Sequence, residues 1–519
     1  MRKLKFFVVI IFIVSGFANA QDSIPSFLKD SLDVYVQRAL IDWQIPGAAV
    51  CVVKNGKIVV MKGYGVKEMG TNDKVDENTL FMIGSNSKAF TATALALLDA
   101  EKKLSLDDHV QKWLPDFKLY DPWVSKEATI RDLLCHRLGF ETFQGDFMYF
   151  DSDLSTAEVR EKMGKLKPLY SFRSKWGYTN CAFMTAGEII PKVTGKSWAD
   201  FIKERIFIPL GMNNTLALSK EIDAAPDKAF AHTVVHDKLK KISYGHIDNL
   251  APAGSISSSV NDLSHWIMMQ LDNGKYNGKE IIPASAIAQT RTPVSILGNG
   301  GTQFNRGHFA LYGLGWFLEE YDGRKIVSHT GGVNGFVTSI TLIPEEKLGI
   351  VVLTNTDANA FYEALKWEIM DAYFGLPYRN YSNVYLSHHK SQEAQQEKQI
   401  KAERDTIAMH LKRDLPLASY AGNYTHEVYG KMTINLENTR LNDAVGQGKL
   451  IARFEHHHGR YAELEAMGGS RFLATFNDPL YGIKVWPFTI ANGKVKSVTV
   501  RVADFVEFTP YEFVRTTIK

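Results

Sequence analysis

A serine and a lysine three positions apart, Ser85 and Lys88, stand at the start of a stretch whose Ala and Leu content predicts a helix to about Ala100. A short apolar run ends just before them at Gly84. The stretch is apolar nearly all round, so the helix is expected to be buried. Residues three apart share a helix face, which places the hydroxyl beside the amine on the first turn. A lysine is rarely buried unless it is paired or working. A hydroxyl next to an amine on a rigid buried element is an arrangement for nucleophilic catalysis, with Ser85 as nucleophile and Lys88 helping to deprotonate it.

Spacing alone identifies little. Ser-x-x-Lys also occurs at Ser26 to Lys29 and at Ser387 to Lys390, on an N-terminal amphipathic segment and in a polar stretch. Tyr-x-Asn occurs at Tyr178 to Asn180, Tyr378 to Asn380 and Tyr381 to Asn383. Only Tyr178 follows a turn, Lys175-Trp176-Gly177, and leads into an apolar helix. His329-Thr330-Gly331-Gly332 occurs once, at a strand edge, where glycines let a ligand approach the backbone closely.

The elements around these motifs alternate. Residues 27–43 have one apolar face and read as a helix. Ala48–Val53 and Lys57–Lys62 read as strands joined by Asn55-Gly56, a strong hairpin signal. A helix start is expected near Asp107, another at Thr129 as cap. Residues 141–175 are expected to form loops and short helices over the site. Helical pattern spans 182–205, with a break near Gly195, and a further helix holds Leu263, Trp266, Ile267 and Met268. Strands are expected at Leu311–Leu318, Lys325–Val327, Phe336–Ile343 and Gly349–Leu353, then a helix Phe361–Phe374. From about Leu415 short β runs separated by glycine turns predict a barrel or sandwich.

The three motifs, in this order and on these elements, resemble the serine penicillin-recognising hydrolases: class C β-lactamases, DD-peptidases and related esterases. Ile45-Pro46-Gly47, Leu104-Ser105-Leu106-Asp107, Asp132-Leu133-Leu134-Cys135-His136, Pro209-Leu210-Gly211-Met212 and Tyr312-Gly313-Leu314-Gly315-Trp316 look like further landmarks of that family. The resemblance implies an α/β (α+β) fold, an antiparallel sheet flanked by helices with a helical subdomain. It implies that Ser85, Lys88 and Tyr178 are catalytic, with Tyr178 a proton shuttle whose pKa falls from about 10 beside positive charge. Asn180, His329, Thr330 and Gly331 would bind substrate. The backbone N–H groups of Ser85 and Gly332 would form the oxyanion hole. No metal and no cofactor is implied. The family's β-lactamases usually have lysine where His329 stands; a histidine is mostly neutral at pH 7, which points towards the esterase and peptidase branches. Leu417, Tyr420, Gly422 and Tyr424 look like the opening of a lipocalin-like barrel found behind some peptidase members.

The expected organisation is a signal peptide at 1–20, a hydrolase domain at 21–375, a polar linker at 376–414 and an all-β barrel at 415–519. Arg2, Lys3 and Lys5 precede an apolar run and Ala18-Asn19-Ala20, the order of an export signal. The protein is therefore expected in the periplasm or outside the cell, without a membrane span once the leader is removed. The formal net charge is +3, and three positive charges lie in the leader, so the remainder is near neutral and no nucleic-acid partner is expected. Cys51, Cys135 and Cys181 read as buried free thiols rather than a disulfide framework. His456-His457-His458 reads as polar surface or turn rather than a metal site. His232 and His236 lack the glutamate of a zinc-peptidase motif. The favoured reading is an exported serine hydrolase acting on a peptide, D-amino-acid peptides included, or an ester. The alternatives are a β-lactamase or DD-carboxypeptidase, and a silent ligand-binding protein on the same scaffold.

Overall fold

A computed structural model describes residues 24–437 and 448–516. The expected leader at 1–20 lies outside the described residues. Eight antiparallel strands form the first sheet: β1 (Gly47–Lys54), β2 (Lys57–Gly65), β3 (Ser295–Gly298), β4 (Ala310–Tyr312), β5 (Phe317–Tyr321), β6 (Arg324–Val333), β7 (Phe336–Ile343) and β8 (Leu348–Thr354). Their order across the sheet is β2-β1-β8-β7-β6-β5-β4-β3. The β1–β2 connection is the expected Asn55-Gly56 hairpin. The run expected at Leu311–Leu318 is two strands, because the chain turns through Gly313–Trp316 between them.

β1 and β8 read as unbroken apolar runs because both faces of the sheet are covered. Ala49, Cys51, Val53, Val351 and Leu353 face the larger core, which also holds the helices between β2 and β3. Val50, Val52, Ile350 and Val352 face a second core under α1 (Leu32–Asp42) and the helix Phe361–Phe374. The expected helix at 27–43 begins as a π-helical turn, Phe27–Ser31, before α1.

At the centre of the larger core lies α2 (Ser87–Ala100), whose residues from Ser87 through Leu98 are all buried. It is entered through a 3-10 turn, Gly84–Asn86, rather than starting as an α-helix at Ser85. Around it pack α3 (Asn180–Thr194) and α4 (Val260–Leu271). Phe90 stacks on Trp266 with ring centres 3.9 Å apart. Thr129 caps the helix Ile130–Leu134 in a reciprocal box with Asp132. Cys51, Cys135 and Cys181 are free and buried.

A 28-residue helix, Tyr381–Ala408, leads to the second unit, a closed barrel of eight strands in simple up-and-down order. Pairing of Tyr424 with Arg515 and Thr425 with Val514 closes it. Its interior is filled by large side chains, among them Tyr424, Phe472, Trp486, Phe488 and Phe513. A barrel of eight strands is just wide enough to be filled in this way.

The two units are pinned together by the four-residue helix Asp146–Tyr149. Phe147 inserts among barrel aromatics: it stacks on His457 at 4.7 Å and on Tyr429 at 5.9 Å, and meets Phe454 edge-on at 5.0 Å. His456 and His458 both bond Asp153, at 2.9 and 2.6 Å, and Arg460 bonds Asp151 at 2.6 Å. The three histidines lie in the turn after strand Lys449–Phe454, so His457 can point inward while its neighbours point out. Among the described residues, no helix is long and apolar enough to cross a membrane.

Candidate active site

The turn at Gly84–Asn86 is pressed against β6, and glycine makes this possible. Gly84 has φ of +52°, and a Cβ on it would lie 2.9 Å from the Gly332 nitrogen. A Cβ on Gly331 would lie 1.8 Å from the Ile83 carbonyl oxygen. Close approach was expected here from a ligand; at Gly331 the chain's own backbone makes it. Thr338 on β7 locks the contact, donating to the Ile83 carbonyl at 3.0 Å and accepting from the Asn86 amide at 2.9 Å. Ser85, half-buried, is thereby held beside β6.

β6 runs past the end of its neighbour. β5 pairs only with Arg324–Ser328, so among the described strands His329–Val333 have a partner on the β7 side alone. Val333 pairs with Phe336 across a two-residue turn, and hydrogen bonding alternates back from that closing pair. Gly332, opposite Val337, therefore turns its N–H away from β7 and towards the open side. The Gly332 backbone is exposed, whereas Gly331 is buried.

Lys88 is wholly buried. Its Nζ lies 3.0 Å from Ser85 Oγ, 2.7 Å from Asn180 Oδ1 and 2.8 Å from the Ala253 carbonyl oxygen. It also sits 4.7 Å above the Tyr178 ring centre. Burial drops the Lys88 ammonium to about 7, with the charge of Asp146 opposing. Ser85 Oγ, Asn180 Oδ1 and the Ala253 carbonyl oxygen each face one Nζ–H, and loss of the proton on the Ser85 side would turn a lone pair towards that hydroxyl.

Tyr178 is buried and hydrogen-bonded to Ser85. The expected fall in its pKa does not occur. Burial raises it above the usual phenol range, Asp146 adds to the rise, and the bond from Ser85 only partly offsets them.

Asn180 opens α3. Its Nδ2 donates to Asp146 Oδ2 at 2.6 Å, which fixes the amide so that Oδ1 faces Lys88. His329 is 1 % exposed, and both ring nitrogens are engaged. Nδ1 faces the Thr330 carbonyl at 2.6 Å and must donate, so Nε2 accepts from Tyr312 Oη at 3.0 Å. Burial, then Lys88, lowers His329 to about 3. Its imidazole is neutral and has no nitrogen free for a substrate.

Ser85, Lys88, Tyr178, Asn180, His329, Thr330, Gly331 and Gly332 thus come together at the end of α2 and the free part of β6. The other Ser-x-x-Lys pairs do not join them: Ser26, Lys29, Ser387 and Lys390 are all exposed. Asp132 is committed elsewhere, to Arg137 and to Arg173, the latter at 2.7 Å. His136 does not meet it; its Nδ1 accepts the Thr179 N–H at 3.0 Å and its ring packs 4.3 Å from that of Tyr178. His232 is buried between the Met69 N–H and the Asn355 carbonyl. Among the described residues no group of three or more metal-binding side chains gathers.

Two carboxyl groups beside the site were not anticipated. Asp146 bonds Asn180 on one side and Tyr149 on the other. Burial, then the neighbouring Glu507, holds its carboxyl well above the usual range. Glu507 comes from the barrel. It accepts from the Gly145 N–H at 2.6 Å, the Phe147 N–H at 3.0 Å, Tyr429 Oη at 3.0 Å and Tyr511 Oη. Burial pushes Glu507 up to about 8 in spite of these donors. No local motif marks either residue: Glu507 is 362 positions from Gly145. Glu507→Ala would leave these buried donors without an acceptor. It is expected to lose about 3 kcal/mol of stability, read as a lower urea midpoint.

The profile of the family described as Beta-lactamase matches residues 32–373. The chain belongs to the beta-lactamase family. Members of this family are serine hydrolases, and the sheet, helices and closed C-terminal barrel found here confirm the fold that the resemblance implied. A second profile, described as a domain of unknown function, matches residues 409–515. Among relatives, the chain is 30% identical over 440 residues to an unguisins hydrolase of Aspergillus campestris, covering 80% of this chain and 79% of that one. It is 28% identical over 351 residues to penicillin-binding protein 4* of Bacillus subtilis, covering 63% and 72%. The octameric penicillin-binding protein homologue from Pyrococcus abyssi shares the fold, with a TM-score of 0.58 at 20% identity over 93% of this chain and 99% of that one.

Proposed function

We propose that this beta-lactamase family member is an exported hydrolase that cleaves a peptide amide or an ester through an acyl-enzyme on Ser85. The observation that supports this most strongly is Lys88: a buried amine near pKa 7 whose Nζ lies 3.0 Å from Ser85 Oγ. Neutral Lys88 takes the Ser85 proton as Oγ attacks the substrate carbonyl. The N–H groups of Ser85 and Gly332 receive the oxyanion. Tyr178 stays a neutral phenol and relays the proton from Lys88 to the leaving nitrogen or oxygen. Water then enters, gives its proton back along the same path, and breaks the ester bond to Ser85. Asn180 holds Lys88 and offers its remaining amide hydrogen to the substrate. The free edge at His329–Val333 accepts an extended peptide as an added strand.

His329 argues against β-lactams as the main substrate. A neutral, fully engaged imidazole supplies no permanent charge to a substrate carboxylate. The relative named a hydrolase, alike over four-fifths of the chain, supports hydrolysis as the reaction. The test is a panel of p-nitrophenyl acetate, the p-nitroanilides of L-alanine and D-alanine, and nitrocefin. The ester or one amide is expected to exceed nitrocefin at least tenfold in kcat/KM. Preference for nitrocefin, or no turnover of any of them, contradicts the proposal.

A further inference from the structure

Among the described residues, the barrel segment 503–509, before the last strand Tyr511–Arg515, comes up to Gly332 and Phe143 beside the catalytic groups. The segment is anchored at its middle. Val506 and Glu507 are buried, and both of their N–H groups donate to the Ala503 carbonyl, at 2.9 and 3.0 Å. The flanking residues are not buried: Phe505 is 42% exposed and Phe508 49%. A single exposed apolar side chain means nothing, since folded surfaces are full of them. Two phenyl rings on either side of one buried anchor, one beside Gly332 and the other beside Phe143, are a different case.

Each ring has a defined place. Phe505 lies against the oxyanion side: a Cβ on Gly332 would sit 3.6 Å from its ring, and Phe150 meets it edge-on at 6.4 Å. Phe508 lies on the Tyr178 side: its ring is 5.6 Å from that of Phe143, which in turn meets the Tyr178 ring at 5.6 Å. Phe143 is itself fixed, since its N–H donates to the Tyr178 carbonyl at 2.9 Å. The cleft beside Ser85 is therefore flanked by aromatic surface supplied in part by the barrel.

We infer that Phe505 and Phe508 form an apolar subsite that takes an aliphatic or aromatic group of the substrate next to the scissile carbonyl. The inference deepens the proposed function and rests on Ser85 being the nucleophile. It makes the barrel a specificity element of the hydrolase rather than an appendage.

The test compares p-nitrophenyl 4-phenylbutyrate with p-nitrophenyl acetate as a ratio of kcat/KM. In the F505A/F508A double variant the ratio is expected to fall at least tenfold. In F505L/F508L, which keeps apolar bulk, it is expected to stay within threefold of the parent. Because both rings are half in solvent, both variants should fold, which circular dichroism checks. A ratio within twofold of the parent in the alanine variant, with Ser85→Ala inactive on both esters, overturns the subsite alone. Parent-like hydrolysis of the esters by Ser85→Ala overturns the catalytic reading and the subsite with it.

Discussion

Ser85→Ala is expected to lower kcat/KM on ester and peptide substrates by about four orders of magnitude or more, with thermal stability nearly unchanged. The chemical reason is that, among the described residues near Lys88, the other serine in reach is already committed elsewhere. Ser87 is two residues away, but its hydroxyl donates to the Gly84 carbonyl at 2.7 Å and accepts from the Ile256 N–H at 3.1 Å. It is a structural clasp inside the helix entry, not a spare nucleophile. Removing one member of a unit that acts together costs nearly all of its contribution. The half-buried Ser85 hydroxyl has its two partners, Lys88 and Tyr178, inside the site, so its loss disturbs little packing. Steady-state kinetics with purified protein provide the measurement.

Lys88→Met is expected to lower kcat/KM by about 10²- to 10⁴-fold, the usual scale of a positioned general base. It should also remove an acid limb from the pH profile. The sign follows from the depressed pKa. Below about 7 the Lys88 amine is protonated and cannot accept the Ser85 proton, so activity falls with acidity. Above it the neutral amine dominates and the limb levels off. In the parent, kcat/KM should therefore rise with pH through a midpoint near 7. Persistence of that limb in Lys88→Met would assign the base to another group. Methionine keeps the apolar bulk among Tyr178 and Phe183, whose rings lie 4.7 and 5.5 Å from Nζ, so packing loss is not the expected cause.

These groups were visible in the sequence for a physical reason. Ser85 and Lys88 meet because three residues make one helical turn, and a lysine inside an Ala-Leu helix stands out without a fold in hand. The His329-Thr330-Gly331-Gly332 run stood out because glycines in a strand announce a close approach, although the approaching group is the Ile83 backbone. The hairpins and apolar strands of the sheet were legible for the same local reasons.

Asp146, Glu507, Phe505 and Phe508 were not legible. Each owes its place to a partner far along the chain. Asp146 lay in a polar stretch with no period, and only its bond to Asn180, 34 positions on, gives it a site. The fate of Tyr178 shows the second limit. Its pKa was expected to fall because a lysine lay near, but burial of the phenol raises it instead. That burial is set by the fold and is not written in the local sequence.

The central claim is that Ser85 is the acylated residue. The most direct measurement is to incubate the protein with a fluorophosphonate, digest it and map the adduct by mass spectrometry. The predicted result is a single adduct on the peptide containing Ser85, absent in Ser85→Ala. An adduct on any other residue, or one that persists in Ser85→Ala, would contradict the account.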